Sequence, residues 1–238
     1  VEHSQPQQLS LGVALADDAT FENFYTQEGS AAAQAVHALQ HFMQSPTEHG
    51  FFLWGASGSG LSHLLQASCH LANQQQLSAQ YLPLSELVGF APDALLEGMD
   101  GFDLLCLDGL QHIAGKADWE QALFNCFNRS KDSGRKILFS ANANPTELNI
   151  NLPDLASRLS WGLSFQVPLM GDAEKQQALT LRAKARGLEL SDEVAQFILH
   201  RAPRHIAELF EILDRLDNAS LAEQRKLTIP FVKQVLGL

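Results

Sequence analysis

The sequence predicts an α/β fold, a five-stranded parallel sheet covered by helices, followed by a small all-α domain. Three observations lead there. Short apolar runs alternate with helix-like stretches through the first two-thirds of the chain. The runs are apolar almost without a break, as in strands covered on both faces. Every strand signal stops at Pro168. Alternating strand and helix patterns place the strands in one parallel sheet sandwiched by helices.

Residues 1–19 are rich in Gln, hold one short apolar cluster and carry the acidic pair Asp17-Asp18, so a flexible tail is expected. The α/β core is expected over 20–168. Its strands are read as Gly50–Trp54, Ala79–Leu82, Phe102–Leu107, Ile137–Ser140 and Leu163–Val167, with helices near 30–44, 61–75, 85–97, 118–133 and 154–160. The helical domain, 169–238, is expected to hold helices near 172–186, 192–202, 204–218 and 229–236. Ser191 is placed to cap the second of these, with Asp192 and Glu193 favourably set in its first turn, and Gly187 suits the end of the first.

Composition narrows the class. With 45% apolar and 18% charged residues, 16 Gly and 9 Pro among 238 residues, disordered and collagenous chains are excluded. No apolar run reaches the roughly 18 residues of a membrane span, and the first residues lack a signal-peptide pattern. Cys69, Cys106 and Cys126 are scattered within apolar stretches, as free buried thiols of a reducing compartment are, so a cytoplasmic location is expected. The net charge is −11; residues 1–168 hold 6 basic and 17 acidic side chains, whereas 169–238 hold 10 of each. Autonomous binding to a phosphate backbone, which needs clustered Lys and Arg, is disfavoured, and DNA contact is expected to be indirect or weak.

The segment Gly55-Ala56-Ser57-Gly58-Ser59-Gly60-Leu61-Ser62 joins the first strand to a helix with the spacing of a P-loop, except that Leu61 stands where Lys belongs. Gly55, Gly58 and Gly60 allow successive N–H groups to turn around an anion, the helix N-terminus adds partial positive charge, and the Ser62 hydroxyl can reach a Mg²⁺ ion. The missing Lys removes a charge-assisted contact worth roughly 1.5–3 kcal/mol, about ten- to a hundredfold in affinity. Binding is weakened rather than abolished. Leu104–Asp108 is an apolar strand ending in an acid, which sets a carboxylate beside such a metal. Gly109 follows where a hydrolytic enzyme places a second acid, so efficient hydrolysis by this chain alone is not expected.

This ordered set resembles the AAA+ ATPases, and among them the DnaA family of bacterial replication proteins, over about residues 20–238. Phe21-Glu22-Asn23-Phe24 is similar to the family's segment near the nucleotide base, which implicates Phe21 and Phe24. Ile137–Asn142 resembles the sensor 1 strand, with Asn142 as the sensing residue. Leu155–Gly162 resembles the arginine-finger box, making Arg158 the finger, and Pro203–Leu209 resembles sensor 2, with Arg204 reaching the phosphates from the helical lid. The resemblance also places Ser57, Ser59 and His63 among the nucleotide contacts.

Gln8-Leu9-Ser10-Leu11 is similar to the short peptides that dock on the replicative sliding clamp. Gly12 follows where relatives often carry Pro. An ATPase core and lid with a clamp-docking peptide, and without the DNA-binding domain of DnaA, resembles the regulatory branch of the family. That resemblance implies a protein that binds nucleotide, ADP before ATP, with Mg²⁺ held through Ser62 and Asp108. It further implies docking on the DNA polymerase III sliding clamp, stimulation of hydrolysis of DnaA-bound ATP with Arg158 acting in trans, and assembly into a homo-oligomer. Two alternatives stand beside it: a DNA-dependent ATPase or helicase loader driven by its own turnover, and a scaffold with an empty loop.

Other residues draw weaker readings. His37 and His41, spaced i, i+4, form half of a metal pair with no third ligand in sight. Arg182, Lys184 and Arg186 form a basic cluster on the lid, expected to be a solvated helix face or, less simply, a contact for DNA. His63 is expected to be solvated or capping if it does not meet phosphate. Trp54, Trp119 and Trp161 are taken as packing residues.

Overall fold

The computed structural model describes residues 15–201 and 205–238. Five strands, β1 (Gly50–Trp54), β2 (Ala79–Pro83), β3 (Leu104–Asp108), β4 (Lys136–Ala141) and β5 (Leu163–Gln166), form one parallel sheet in the order β2-β3-β4-β1-β5. The register sets Phe52 beside Phe139 of β4 and beside Ser164 of β5, so β1 is flanked on both sides. The expected five-stranded α/β architecture stands.

With helices on both faces the period-2 pleat makes β1 and β3 apolar on both sides, whereas the edge strand β5 alternates, with Ser164 and Gln166 exposed. Phe51 and Leu53 point to one face, where α1 (Ala31–Phe42) and α2 (Leu61–Gln74) bury Leu39, Phe42, Leu64 and Leu65 with Leu104, Cys106 and Leu138. Phe52 points to the other, packed with Leu105, Leu107, Ile137 and Phe139 under α3 (Leu84–Leu87), α4 (Pro92–Leu96), α5 (Ala117–Asp132) and α6 (Pro153–Leu159). The lead-in segment adds a short 3₁₀ turn, Phe21–Asn23, whose Phe21 joins the first of these cores along with Phe24.

A third core belongs to the C-terminal helices α7 (Asp172–Ala185), α8 (Asp192–Arg201), α9 (Ile206–Glu223) and α10 (Ile229–Leu236). Leu179, Ile198, Leu209, Leu213, Leu216 and Phe231 are its fully buried centre. Glu174 accepts from the Gly171 N–H at 2.8 Å to start α7, and Thr228 caps α10 by accepting from Phe231 N.

Several expected boundaries move. The helix read over 85–97 is two short helices, because Pro92 cannot donate inside a helix and must begin one. The third strand runs from Leu104 through Asp108 rather than from Phe102 to Leu107. The helix expected over 204–218 begins at Ile206 and continues to Glu223, where Gln224 turns left-handed at φ 52°. The thiols of Cys69, Cys106 and Cys126 are free and buried as expected, and Cys69 Sγ lies 3.5 Å from Cys106 Sγ. No helix among the described residues is long and apolar enough to cross a membrane.

Candidate functional site

The C-terminal ends of β1, β3 and β4 open into one cleft, the place where an open parallel sheet binds ligands. It encloses about 560 Å³ and is lined by the loop Gly55–Ser62, His63, Asp108, Ser140, Asn142 and, from the helical domain, Arg182, Ile206 and Phe210. The loop needs its glycines for stated reasons. Gly60 caps α2 at φ 91°, and a Cβ there would stand 2.6 Å from the Phe24 ring. Gly55 passes so close to the chain after β5 that a Cβ would meet the Val167 carbonyl at 2.3 Å. Gly58, at φ 87°, lies under His205, whose Nδ1 would be 3.1 Å from its Cβ. Lid and lead-in segment thus both close on the loop.

Within the loop, Ser59 is buried and its Oγ has no partner among the described residues, a polar atom in want of one beside the cleft. Leu61 puts an apolar side chain where a cation would stand. Arg182 is the one Lys or Arg lining the cleft among the described residues. Asn142 sits at the cleft with Ser140 and Ala141, and its N–H donates to Gln111 at 3.2 Å.

Asp108 is held by two hydroxyls that sequence reasoning missed. Tyr81 of β2 donates to Asp108 Oδ2 at 2.6 Å, Ser140 of β4 donates to Oδ1, and Ser140 Oγ accepts from Gly109 N at 2.8 Å. Burial first, and then the carboxylate charge, push the Tyr81 phenol well above its ordinary range, so it remains a donor. A tyrosine in an apolar strand next to an acid-ended strand was the available signal. The carboxylate oxygens each keep a lone pair.

His63 is neither solvated nor capping. Its Nε2 meets the Thr20 carbonyl at 2.7 Å and its ring lies 5.5 Å from Phe24; burial lowers its pKa. The basic lid cluster is also corrected. Arg182 and Arg186 both pair with Asp18 of the lead-in segment, Arg186 also with Asp214, and Arg182 stacks over Phe210 at 4.3 Å. Arg182 and Arg186 thus tie lid to lead-in segment, while Lys184 is exposed with no carboxylate partner among the described residues. The rings of His37 and His41 lie 4.4 Å apart and tilted by 33°, and no group of three or more metal-ligating side chains occurs among the described residues.

Arg158 lies elsewhere. It lies in the last turn of α6, half-buried, its guanidinium carbon 5.2 Å from the Trp161 ring centroid, and it has no carboxylate partner among the described residues. Arg129 and Arg135, the other core arginines, pair with Asp100 and Asp103. Trp119 is buried as expected and Trp54 partly so, but Trp161 is 57% exposed, which overturns its reading as a packing residue. Its carbonyl adjoins Gly50, where β1 begins, whereas the phosphate loop follows the strand's far end. Five strand residues, about 16 Å, separate the two places. Gln8, Leu9, Ser10 and Leu11, and Arg204, lie outside the described residues.

Residues 15–166 match the family model described as the bacterial DnaA ATPase domain, and residues 172–236 match that described as the Hda lid domain. Domain III of the DnaA replication initiation protein of Thermotoga maritima is similar in structure, with a TM-score of 0.77 and 24% identity over 94% of this chain and 98% of that one. AMPPCP-bound DnaA from Aquifex aeolicus has a TM-score of 0.68 at 23% identity, over 84% of this chain and 65% of that one. The RuvB Holliday junction branch migration motor of T. maritima has a TM-score of 0.67 at 15% identity, over 92% and 71%. At these identities the structural likeness shows a shared fold.

Proposed function

Because the chain belongs to the bacterial DnaA ATPase-domain family and carries an Hda-type lid, we propose that it is a replication regulator acting on a partner's nucleotide. It holds a nucleoside diphosphate, ADP, in its own cleft, docks on the DNA polymerase III sliding clamp through Gln8, Leu9, Ser10 and Leu11, and stimulates hydrolysis of DnaA-bound ATP with Arg158. It self-associates through the finger face, and DNA contact is indirect.

One observation carries this reading. Arg158 leads through Trp161 to Gly50, at the end of β1 opposite the chain's own cleft, and the five residues of β1, about 16 Å, lie between that end and the phosphate loop, a length greater than an arginine side chain. An anion that it meets therefore belongs to another molecule. A guanidinium delivered to a γ-phosphate stabilises charge developing in the transition state, an effect of about 10³–10⁵ in rate. The chain's own site is poorly equipped for that chemistry: Leu61 supplies no cation and Gly109 no second acid.

The cleft nonetheless fits a nucleotide. The orphan Ser59 Oγ and the left-handed Gly58 and Gly60 form a cradle for oxygens, with Ser57 and Ser62 beside it, while Phe24 and His63 close the lead-in side. A diphosphate asks less of the missing cation than a triphosphate does. Ser62 and Asp108 would hold Mg²⁺, which when bound neutralises phosphate charge; Tyr81 and Ser140 fix the carboxylate's orientation. Arg204 would approach from the lid, and Asn142 stands at the outer end.

Reconstitution tests the proposal: hydrolysis of DnaA-bound ATP measured with this protein, with and without DNA-loaded clamp. Stimulation that needs the clamp, and is lost in Arg158→Ala while clamp binding persists, is expected. No increase over DnaA alone overturns it.

A further inference from the structure

We propose that Trp161 is the positioning residue for Arg158, an aromatic platform that presents the guanidinium to the partner. This rests on the reading of Arg158 as a finger acting in trans. A lone exposed aromatic needs no explanation. Trp161 is not alone: Arg158 of α6 lies 5.2 Å from its ring centroid and Lys131 of α5 lies 4.1 Å from it, so cations from two helices engage one ring.

The ring is set by backbone that cannot easily move. Trp161 N donates to the Arg158 carbonyl at 3.0 Å, closing the end of α6 over the residue in question. Gly162 follows at φ 111°, a conformation closed to other residues, and a Cβ there would stand 2.5 Å from the Gly50 carbonyl. Leu163 then enters β5 against β1. Below, Leu155 and Leu159 are buried and fix α6. The platform is thus bolted to Gly50, the first residue of β1.

A guanidinium held over a ring face by its charge keeps its N–H groups free for a phosphate. A carboxylate partner would occupy those same N–H groups and would have to be displaced. The cation–π contact holds the long side chain without spending its donors, so less rotamer freedom is lost on docking. A lysine in place of Arg158 would neither stack as well nor present a fork.

The test is single-turnover hydrolysis of DnaA-bound ATP, with clamp on DNA, titrated with the wild type, Trp161→Phe, Trp161→Leu and Arg158→Ala. An exposed cation–π contact predicts a ~2–5-fold lower saturating rate for Trp161→Leu, with the half-saturating concentration unchanged. Trp161→Phe, which keeps a ring, recovers the rate. A full rate in Trp161→Leu, or a change in half-saturation alone, overturns the positioning role, the latter marking Trp161 as a contact for the partner. If the wild type itself fails to stimulate, the finger reading falls. The stacking is then judged separately by the Trp161 indole N–H resonance, assigned by its loss in Trp161→Phe. It shifts in Arg158→Ala if the two stack, and an unmoved resonance overturns the platform.

Discussion

Glu120 is the side chain on which the placement of α6 turns. It is 1% exposed, projects from α5, and accepts three backbone N–H groups: Gly115 at 2.7 Å, Asn151 at 3.0 Å and Leu152 at 2.8 Å. Leu152 is the N-cap of α6 and has no capping side chain, and Pro153 follows with no N–H to satisfy. The carboxylate therefore does from a distance what a local cap would do. Glu120→Ala leaves three donors without their acceptor. Each such orphan costs about 1–3 kcal/mol when buried, and the exposure of Asn151 to water argues for the low end, about 3 kcal/mol in all. For a chain of this size that is a fall of roughly 6–12 °C in Tm. Glu120→Gln keeps one acceptor oxygen but turns an NH₂ toward a donor, for about half that loss. Thermal and urea unfolding of both variants decide the matter. A loss below about 1 kcal/mol in Glu120→Ala would refute the claim that this carboxylate organises the approach to α6.

Other outcomes follow from the cleft. Leu61→Lys restores a charge-assisted phosphate contact and should tighten ADP binding by about ten- to a hundredfold in calorimetry, without bringing turnover, because Gly109 is untouched. Unchanged affinity would mean that the loop does not hold phosphate. His63 has a folded pKa below its ordinary 6.5, chiefly through burial. The folded state thus prefers the neutral ring, so the stability linked to it is fully present above pH 6.5 and is lost as pH falls from there through the lowered folded value. His63→Gln should flatten the dependence of stability on pH across that window, and urea midpoints between pH 7 and pH 5 measure it. A dependence as steep as in the wild type would assign the titration elsewhere.

Much of this was legible in the sequence because it depends on pattern alone. β1 and β3 are apolar enough to be buried on both faces, and the glycine spacing after the first of them places a loop at the sheet's C-terminal edge. Asp108 announces itself as the acid that ends a strand. What escaped reading depends on neighbours brought together by the fold. Tyr81 and Ser140 are 59 residues apart and meet only because β2 and β4 flank β3. Arg182 and Arg186 look like a solvated helix face until Asp18, more than 160 residues earlier, is seen to pair with both. Trp161 looks like a core aromatic because composition says nothing of exposure. Glu120 offers no signal in the sequence, since its three partners are backbone groups.

The losses and the retentions in the cleft fall into separate groups. What is missing acts on the outer phosphates: the cation at Leu61 and the acid at Gly109. What remains joins parts of the chain around the ligand: Phe24 over Gly60, His205 over Gly58, Arg182 and Arg186 on Asp18, and Arg186 on Asp214. A ligand that enters such a cleft gains contacts with core, lid and lead-in segment at once and couples their positions. On the proposed function, the nucleotide at this end of the sheet sets the lid and the segment leading from residues 8–11, while Arg158 works at the other end. β1, buried on both faces from Gly50 to Leu53, lies between them and on that reading keeps Arg158 in place whatever occupies the cleft. Loss of intrinsic hydrolysis is then compatible with full activity toward a partner, since the two tasks share a scaffold and no atom.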